Sequence, residues 1–136
     1  MSQLPAPAPL VTVANKEFWD ATAEGRFVLQ RCDECDLVVW FPRRTCPECW
    51  QESLRSFDAT GRGTVYSFTI IRKGQNDYKD AAPFVYGYVE LEEGPRVMTN
   101  IVDCPVEDVR IGMAVEIVWH DTGKGSALYR FRPATR

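Results

Sequence analysis

The chain has 136 residues, 45% of them hydrophobic and 26% charged, with a formal net charge of −3 at pH 7. That length provides for one domain-sized core with, at most, a small satellite module. The acidic balance opposes a polyanion, which makes nucleic acid an unfavoured partner, and no run nears the roughly 20 apolar residues of a membrane-spanning helix.

In chain order, residues 1–14 place prolines at alternate positions, Pro5, Pro7 and Pro9, and read as a flexible, extended arm. The arm lacks the basic region and apolar run of a secretory signal, so the expectation is a cytoplasmic protein without a membrane partner. In a reducing compartment, closely spaced cysteines are better read as metal ligands than as disulfides. Asn15 is placed to cap a short amphipathic helix through Phe18, Trp19, Ala21 and Thr22 that stops near Gly25. Residues 26–31 read as a strand entering a first cysteine pair and residues 37–41 as a strand leaving it, with Pro42 ending the pairing. Residues 15–58 are thus a helix followed by a metal-stapled module.

From residue 59 to 136 the pattern becomes that of a β domain. Five strands are predicted over residues 64–71, 84–91, 96–101, 114–119 and 128–131, separated by breaks such as Glu92-Glu93-Gly94-Pro95. Five strands with one longer connection, residues 72–83, fit a small Greek-key OB barrel better than a sandwich, which uses seven or more. The fold class is mainly β: a short N-terminal helix, a rubredoxin-like zinc ribbon and a five-stranded OB barrel.

The chemistry of the chain is concentrated in Cys32, Cys35, Cys46 and Cys49, two Cys-x₂-Cys pairs separated by ten residues. Two residues between thiolates let a tight turn set both sulfurs on one edge of a tetrahedron, and the second pair supplies the opposite edge. A closed Cys₄ set leaves no position for water, so the expected Zn²⁺ is structural and its binding energy acts as folding energy. Iron is the competing metal, because Cys₄ also suits a rubredoxin-type centre. Loading zinc onto four thiolates would carry the net charge to about −5. Arg31, Arg43 and Arg44 flank the pairs, either as a phosphate patch or as local charge balance, and Trp40, Phe41 and Trp50 are placed to shield the sulfurs.

No catalytic set stands out. His120, the single histidine, sits at the end of a predicted strand beside Asp121 and reads as a solvated surface residue. Cys104, before Pro105, reads as a small, half-buried thiol, and neither residue carries a local signature for a dyad. Gly61-Arg62-Gly63 and Gly123-Lys124-Gly125 lack the spacing and strand-to-helix context of phosphate loops.

The ordered features Phe18-Trp19, Leu29-Gln30-Arg31-Cys32, Phe41-Pro42-Arg43, Cys46-Pro47-x-Cys49, Gly61-Arg62-Gly63-Thr64-Val65-Tyr66-Ser67-Phe68-Thr69, Pro83-Phe84, Ile111-Gly112-Met113 and Phe131-Arg132-Pro133 carry a resemblance. The chain resembles the bacterial and archaeal family of acyl-CoA-associated proteins in which a rubredoxin-like zinc ribbon precedes an OB fold. One departure is Asp36, where that family usually has glycine after the second cysteine. The resemblance implies a non-catalytic accessory subunit of a thiolase-fold enzyme, a thiolase, aldolase or acyltransferase. Acyl-CoA is then shared at a hetero-oligomeric interface, as in steroid side-chain or other acyl-CoA degradation.

Within that reading Phe18, Trp19, Trp40 and Trp50 are candidates for partner binding, with core packing an equal alternative for each. Arg62, Arg72, Lys73 and Lys79 are candidates for contacts to CoA phosphates, including the case of a stand-alone acyl-CoA carrier. The reading from a different class is a single-stranded nucleic-acid binder, for which Tyr66, Phe68, Tyr86 and Tyr88 alternate suitably but carry no interleaved cations.

Overall fold

The structure is a computed structural model describing residues 4–135. Helix α1, Lys16–Thr22, precedes strands β1, Val28–Cys32, β2, Val38–Val39, and β3, Leu54–Asp58. The remaining strands are β4, Arg62–Ile71, β5, Phe84–Leu91, β6, Arg96–Ile101, β7, Ala114–Asp121, and β8, Ala127–Pro133, with single 3₁₀ turns at Asn76–Tyr78 and Val106–Asp108. The first three strands form an antiparallel sheet in the order β2-β1-β3, and the last five close into a barrel in the order β4-β5-β6-β8-β7. Among the described residues, antiparallel pairing is broken only between β6 and β8, which run parallel at Ile101 and Phe131. This is the mainly β architecture read from the sequence, helix, ribbon and five-stranded barrel. No helix among the described residues is long and apolar enough to cross a membrane.

The alternation of β5 shows why the barrel closes. Val85, Val89 and Leu91 point into the core while Tyr86 and Tyr88 face out, as a period of two requires. Between them Gly87 lets β4 come close, since a Cβ there would lie 2.5 Å from the Ser67 carbonyl oxygen. A bulge between Val65 and Ser67 curls the ten-residue β4, so that it pairs with β5 along its length and with β7 at Arg62–Thr64.

The seam between ribbon and barrel is aromatic. Phe18 and Trp19 of α1 are buried with Phe27, and Trp40 and Tyr129 pack against them in the same core. The Thr22 hydroxyl donates to the Trp19 carbonyl at 2.6 Å and accepts the Ala127 amide at 3.0 Å, which ties α1 to β8. Gly25, at φ +73°, turns the chain out of the helix as its amide reaches the Thr22 carbonyl.

Four local readings change. The Asn15 side chain does not cap α1: its Oδ1 accepts the Thr12 amide at 2.7 Å, so it braces the arm instead. The strand expected over residues 37–41 is only Val38–Val39, because Trp40 and Phe41 turn into the aromatic seam. A third ribbon strand, β3, lies against β1 from Val28↔Asp58 to Cys32↔Leu54. Of the flexible arm expected over residues 1–14, residues 1–3 lie outside the described residues; Leu4 is buried and the Pro5 carbonyl accepts the Arg130 guanidinium at 2.7 Å, which ties that part of the arm to the barrel.

Candidate metal centre and binding surfaces

The two cysteine pairs sit in turns of the same construction. In the first, the Asp36 amide donates to the Cys32 carbonyl and the Cys32 amide to the Leu37 carbonyl, both at 2.9 Å. In the second, the Trp50 amide donates to the Cys46 carbonyl and the Cys46 amide to the Gln51 carbonyl, both at 3.0 Å. Each turn needs a left-handed residue at the equivalent place: Asp36 at φ +64° and Trp50 at φ +66°. Neither is glycine, so each turn holds backbone strain of roughly 1–2 kcal/mol.

These turns bring the four sulfurs within 4.8 Å of one another, with Cys32–Cys49 at 3.5 Å and Cys35–Cys46 at 3.6 Å. A tetrahedron of sulfurs about 2.3 Å from a metal has edges of roughly 3.8 Å, so the cluster fits a four-coordinate ion. The Ser53 hydroxyl lies 3.3 Å from the Cys32 sulfur. That hydroxyl and the Cys35 amide hold the Cys32 thiol down at about 6. For Cys35 the Leu37 amide favours the thiolate, yet burial and the neighbouring sulfurs push the thiol up to about 12. Without a cation the cluster therefore resists full ionisation, and a divalent ion relieves that repulsion. These residues would hold a tetrahedral metal with no open position, which supplies a cross-link and no reaction site. The flanking arginines resolve in part toward charge balance: Arg31 pairs with Asp36 at 3.2 Å and Arg44 with Glu52 at 2.9 Å.

The candidates for partner binding separate. Phe18, 2% exposed, and Trp19 belong to the core, and Trp40 is half-buried among Phe18, Phe27, Phe41 and Tyr129; packing decides their role. Trp50 is 77% exposed at the tip of the second turn and remains available. A second apolar face lies on the barrel, where Tyr66, Tyr86, Tyr88 and Met98 are exposed. Arg96 lies 3.8 Å over the Tyr66 ring of this face and is bound to Glu90 at 2.9 Å.

The basic candidates do not form one patch. Arg62 starts β4, whereas Arg72 and Lys73 follow its end and Lys79 lies on the β4–β5 connection. Arg62 and Arg72 therefore stand at opposite ends of the ten-residue β4. Only Arg72, Lys73 and Lys79 share a connection, and all three are exposed.

His120 is not the solvated strand-end residue expected. It lies within β7, is buried, and its Nδ1 stands 2.7 Å from the Arg130 guanidinium. Burial and then the Arg130 charge hold its pKa below the usual value. Cys104 is half-buried, and burial followed by Asp108 and Asp103 pushes its thiol up. A thiol pushed upward and an imidazole already bound to arginine do not make an activated dyad. The buried Arg130 escaped the sequence reading; the nearest signal is its place in Leu128-Tyr129-Arg130-Phe131, a strand with apolar residues on both faces.

Residues 19–55 match the sequence profile described as the ChsH2 rubredoxin-like zinc ribbon domain, and residues 58–120 match the ChsH2 C-terminal OB-fold domain. A DUF35 domain-containing scaffold protein of Methanocaldococcus jannaschii is 36% identical over 110 residues, 76% of this chain and 78% of that protein. The probable enoyl-CoA hydratase alpha subunit of Thermomonospora curvata is 32% identical over 128 residues, 94% of this chain but 40% of that protein. Subunit BbsA of the benzoylsuccinyl-CoA thiolase of Geobacter metallireducens is 33% identical over 87 residues, 64% of this chain and 57% of that subunit. Among solved structures, a chain of the Ltp2-ChsH2(DUF35) aldolase superposes with a TM-score of 0.84 at 31% identity, covering 94% of this chain and 100% of that one.

Proposed function

Since the chain belongs to the DUF35 family, in which a ChsH2-type zinc ribbon precedes an OB-fold domain, we propose that it is a non-catalytic subunit of an acyl-CoA enzyme. Its partner is a thiolase-fold chain that carries the nucleophile and makes or breaks a carbon–carbon bond beside the thioester. The observation that carries this reading is the superposition on a complete chain of an aldolase assembly. The thiolase subunit among the relatives supports the same class of partner. Steroid side chains are one acyl class within that reading.

In this proposal zinc fills the Cys32, Cys35, Cys46 and Cys49 cluster as a structural cross-link, and Trp50 provides an aromatic anchor on the surface it stiffens. The phosphates of CoA meet the chain at Arg72, Lys73 and Lys79, without Arg62. The barrel face does not favour single-stranded nucleic acid, because Arg96, the cation over its Tyr66 ring, is already paired with Glu90.

Co-expression with a thiolase-fold chain, sought among the genes that flank this one, tests the reading. The two chains are expected to elute together, and the partner's turnover of an acyl-CoA thioester to depend on this subunit. Separate elution with unchanged turnover would refute it.

A further inference from the structure

A cavity of about 650 Å³ opens in the barrel between the β4–β5 and β6–β7 connections. That size suits a small organic molecule. Ala82, Phe84, Ile101 and Val106 give it apolar walls, and the buried His120 lines it as well.

The Arg130 contact fixes the chemistry of that histidine. A guanidinium only donates, so the His120 Nδ1 at 2.7 Å must accept, and the ring proton resides on Nε2. The Arg130 contact is the one side-chain hydrogen bond of His120 among the described residues. The Nε2–H is therefore left free on a residue that lines the cavity. Arg130 is 2% exposed and held in place by Tyr78 and by the Leu4 and Pro5 carbonyls. Its charge draws electron density through the imidazole and strengthens the Nε2–H as a donor, as chained hydrogen bonds do. The exposed carboxylates Asp103 and Glu107 line the same cavity and disfavour an anion there.

We propose that this cavity binds a neutral, largely apolar molecule bearing a carbonyl oxygen, which accepts the His120 Nε2–H while its hydrocarbon body lies against Ala82, Phe84, Ile101 and Val106. The inference stands on this chain alone and does not depend on the partner enzyme.

Titration of the full-length, zinc-loaded chain with 4-phenylcyclohexanone, followed by ¹H–¹⁵N and methyl NMR, tests it. Saturable shifts are expected at His120, Ala82, Ile101 and Val106. Phenylcyclohexane, which lacks the acceptor, and 4-phenylcyclohexanecarboxylate, which is charged, are each expected to bind about tenfold more weakly. His120→Asn keeps an oxygen acceptor for Arg130 and is expected to weaken ketone binding about tenfold, toward the affinity of the hydrocarbon. Ala82→Trp fills the cavity without touching Arg130 and should abolish the shifts while the rest of the spectrum persists. Absence of saturable shifts, shifts confined to other surfaces, or a carboxylate that binds as tightly as the ketone would overturn the proposal. So would undiminished binding in a folded Ala82→Trp chain.

Discussion

Replacing Phe18 with alanine probes whether ribbon and barrel share one core. The ring lies 4.9 Å from Trp19, 5.8 Å from Phe27, 5.3 Å from Trp40, 5.9 Å from Phe41 and 5.9 Å from Tyr129. These partners come from α1, from both sides of the first cysteine pair and from β8, so the vacated volume borders every part of the molecule. Truncating a fully buried phenylalanine costs about 3–5 kcal/mol through lost transfer energy and the residual cavity. Against a typical total of about 5–15 kcal/mol that is a large fraction, and the melting temperature should fall by roughly 10–20 °C. Thermal unfolding of cobalt-substituted protein can follow the ribbon by its thiolate-to-cobalt absorption and the barrel by far-ultraviolet circular dichroism. Both transitions should shift together. A loss below about 1 kcal/mol, or a ribbon transition that moves while the barrel stays, would refute a shared core.

Asp36→Gly relieves a left-handed backbone and gives up only the exposed pair with Arg31, so stability should rise by about 0.5–1 kcal/mol in urea unfolding. Trp50→Gly relieves the same strain in the second turn, yet should weaken partner binding at least tenfold by calorimetry, since the exposed tryptophan proposed as the anchor is lost. Chelating the metal should unfold the ribbon and abolish partner binding, whereas a metal-free chain that keeps both would sink the cross-link assignment. The folded His120 pKa is depressed, so the unfolded chain takes up the proton first as pH falls. The contribution of His120 to stability is therefore complete above the ordinary value of about 6.5 and declines below it. Urea midpoints between pH 7.5 and 5.5 should fall more steeply for the wild type than for His120→Gln.

The metal cluster was legible because its spacing is local: two residues between paired sulfurs dictate a turn, whatever surrounds it. Strands β5 and β6 were legible because Val85, Val89 and Val97 alternate with outward residues at a strict period of two. Strand β3 was not, since Leu54-Arg55-Ser56-Phe57-Asp58 carries two apolar residues and owes its extension to pairing with β1. Phe18 and Trp19 are adjacent on a helix, and only an α1 enclosed by both ribbon and barrel buries both. The misreading of His120 came from Asp121-Thr122-Gly123, which has the look of a turn; β7 continues through Asp121, and the hairpin to β8 brings Arg130 within reach. The cavity beside it is made by two connections separated by the whole of β5 and β6, which no local pattern discloses.

The two cysteine turns explain how a closed metal site would bear on the proposed partner binding. Trp50 and Asp36 occupy equivalent left-handed positions, so the second turn presents a tryptophan where backbone preference calls for glycine. Such strain persists only where the surroundings over-determine it, and a metal cross-link through the four sulfurs would fix both turns at once. From that site rigidity runs through β1 into the aromatic seam and on to β8, with Phe27 and Tyr129 at 5.5 Å as one of its links. A surface tryptophan held on such a path loses little side-chain and loop freedom on association, which lowers the entropic cost of binding. In the proposed assembly the metal would therefore govern partner affinity without itself touching the partner. Trp50→Gly in zinc-loaded protein separates the two effects, because it leaves the cross-link whole while removing the proposed anchor together with the strain of its turn.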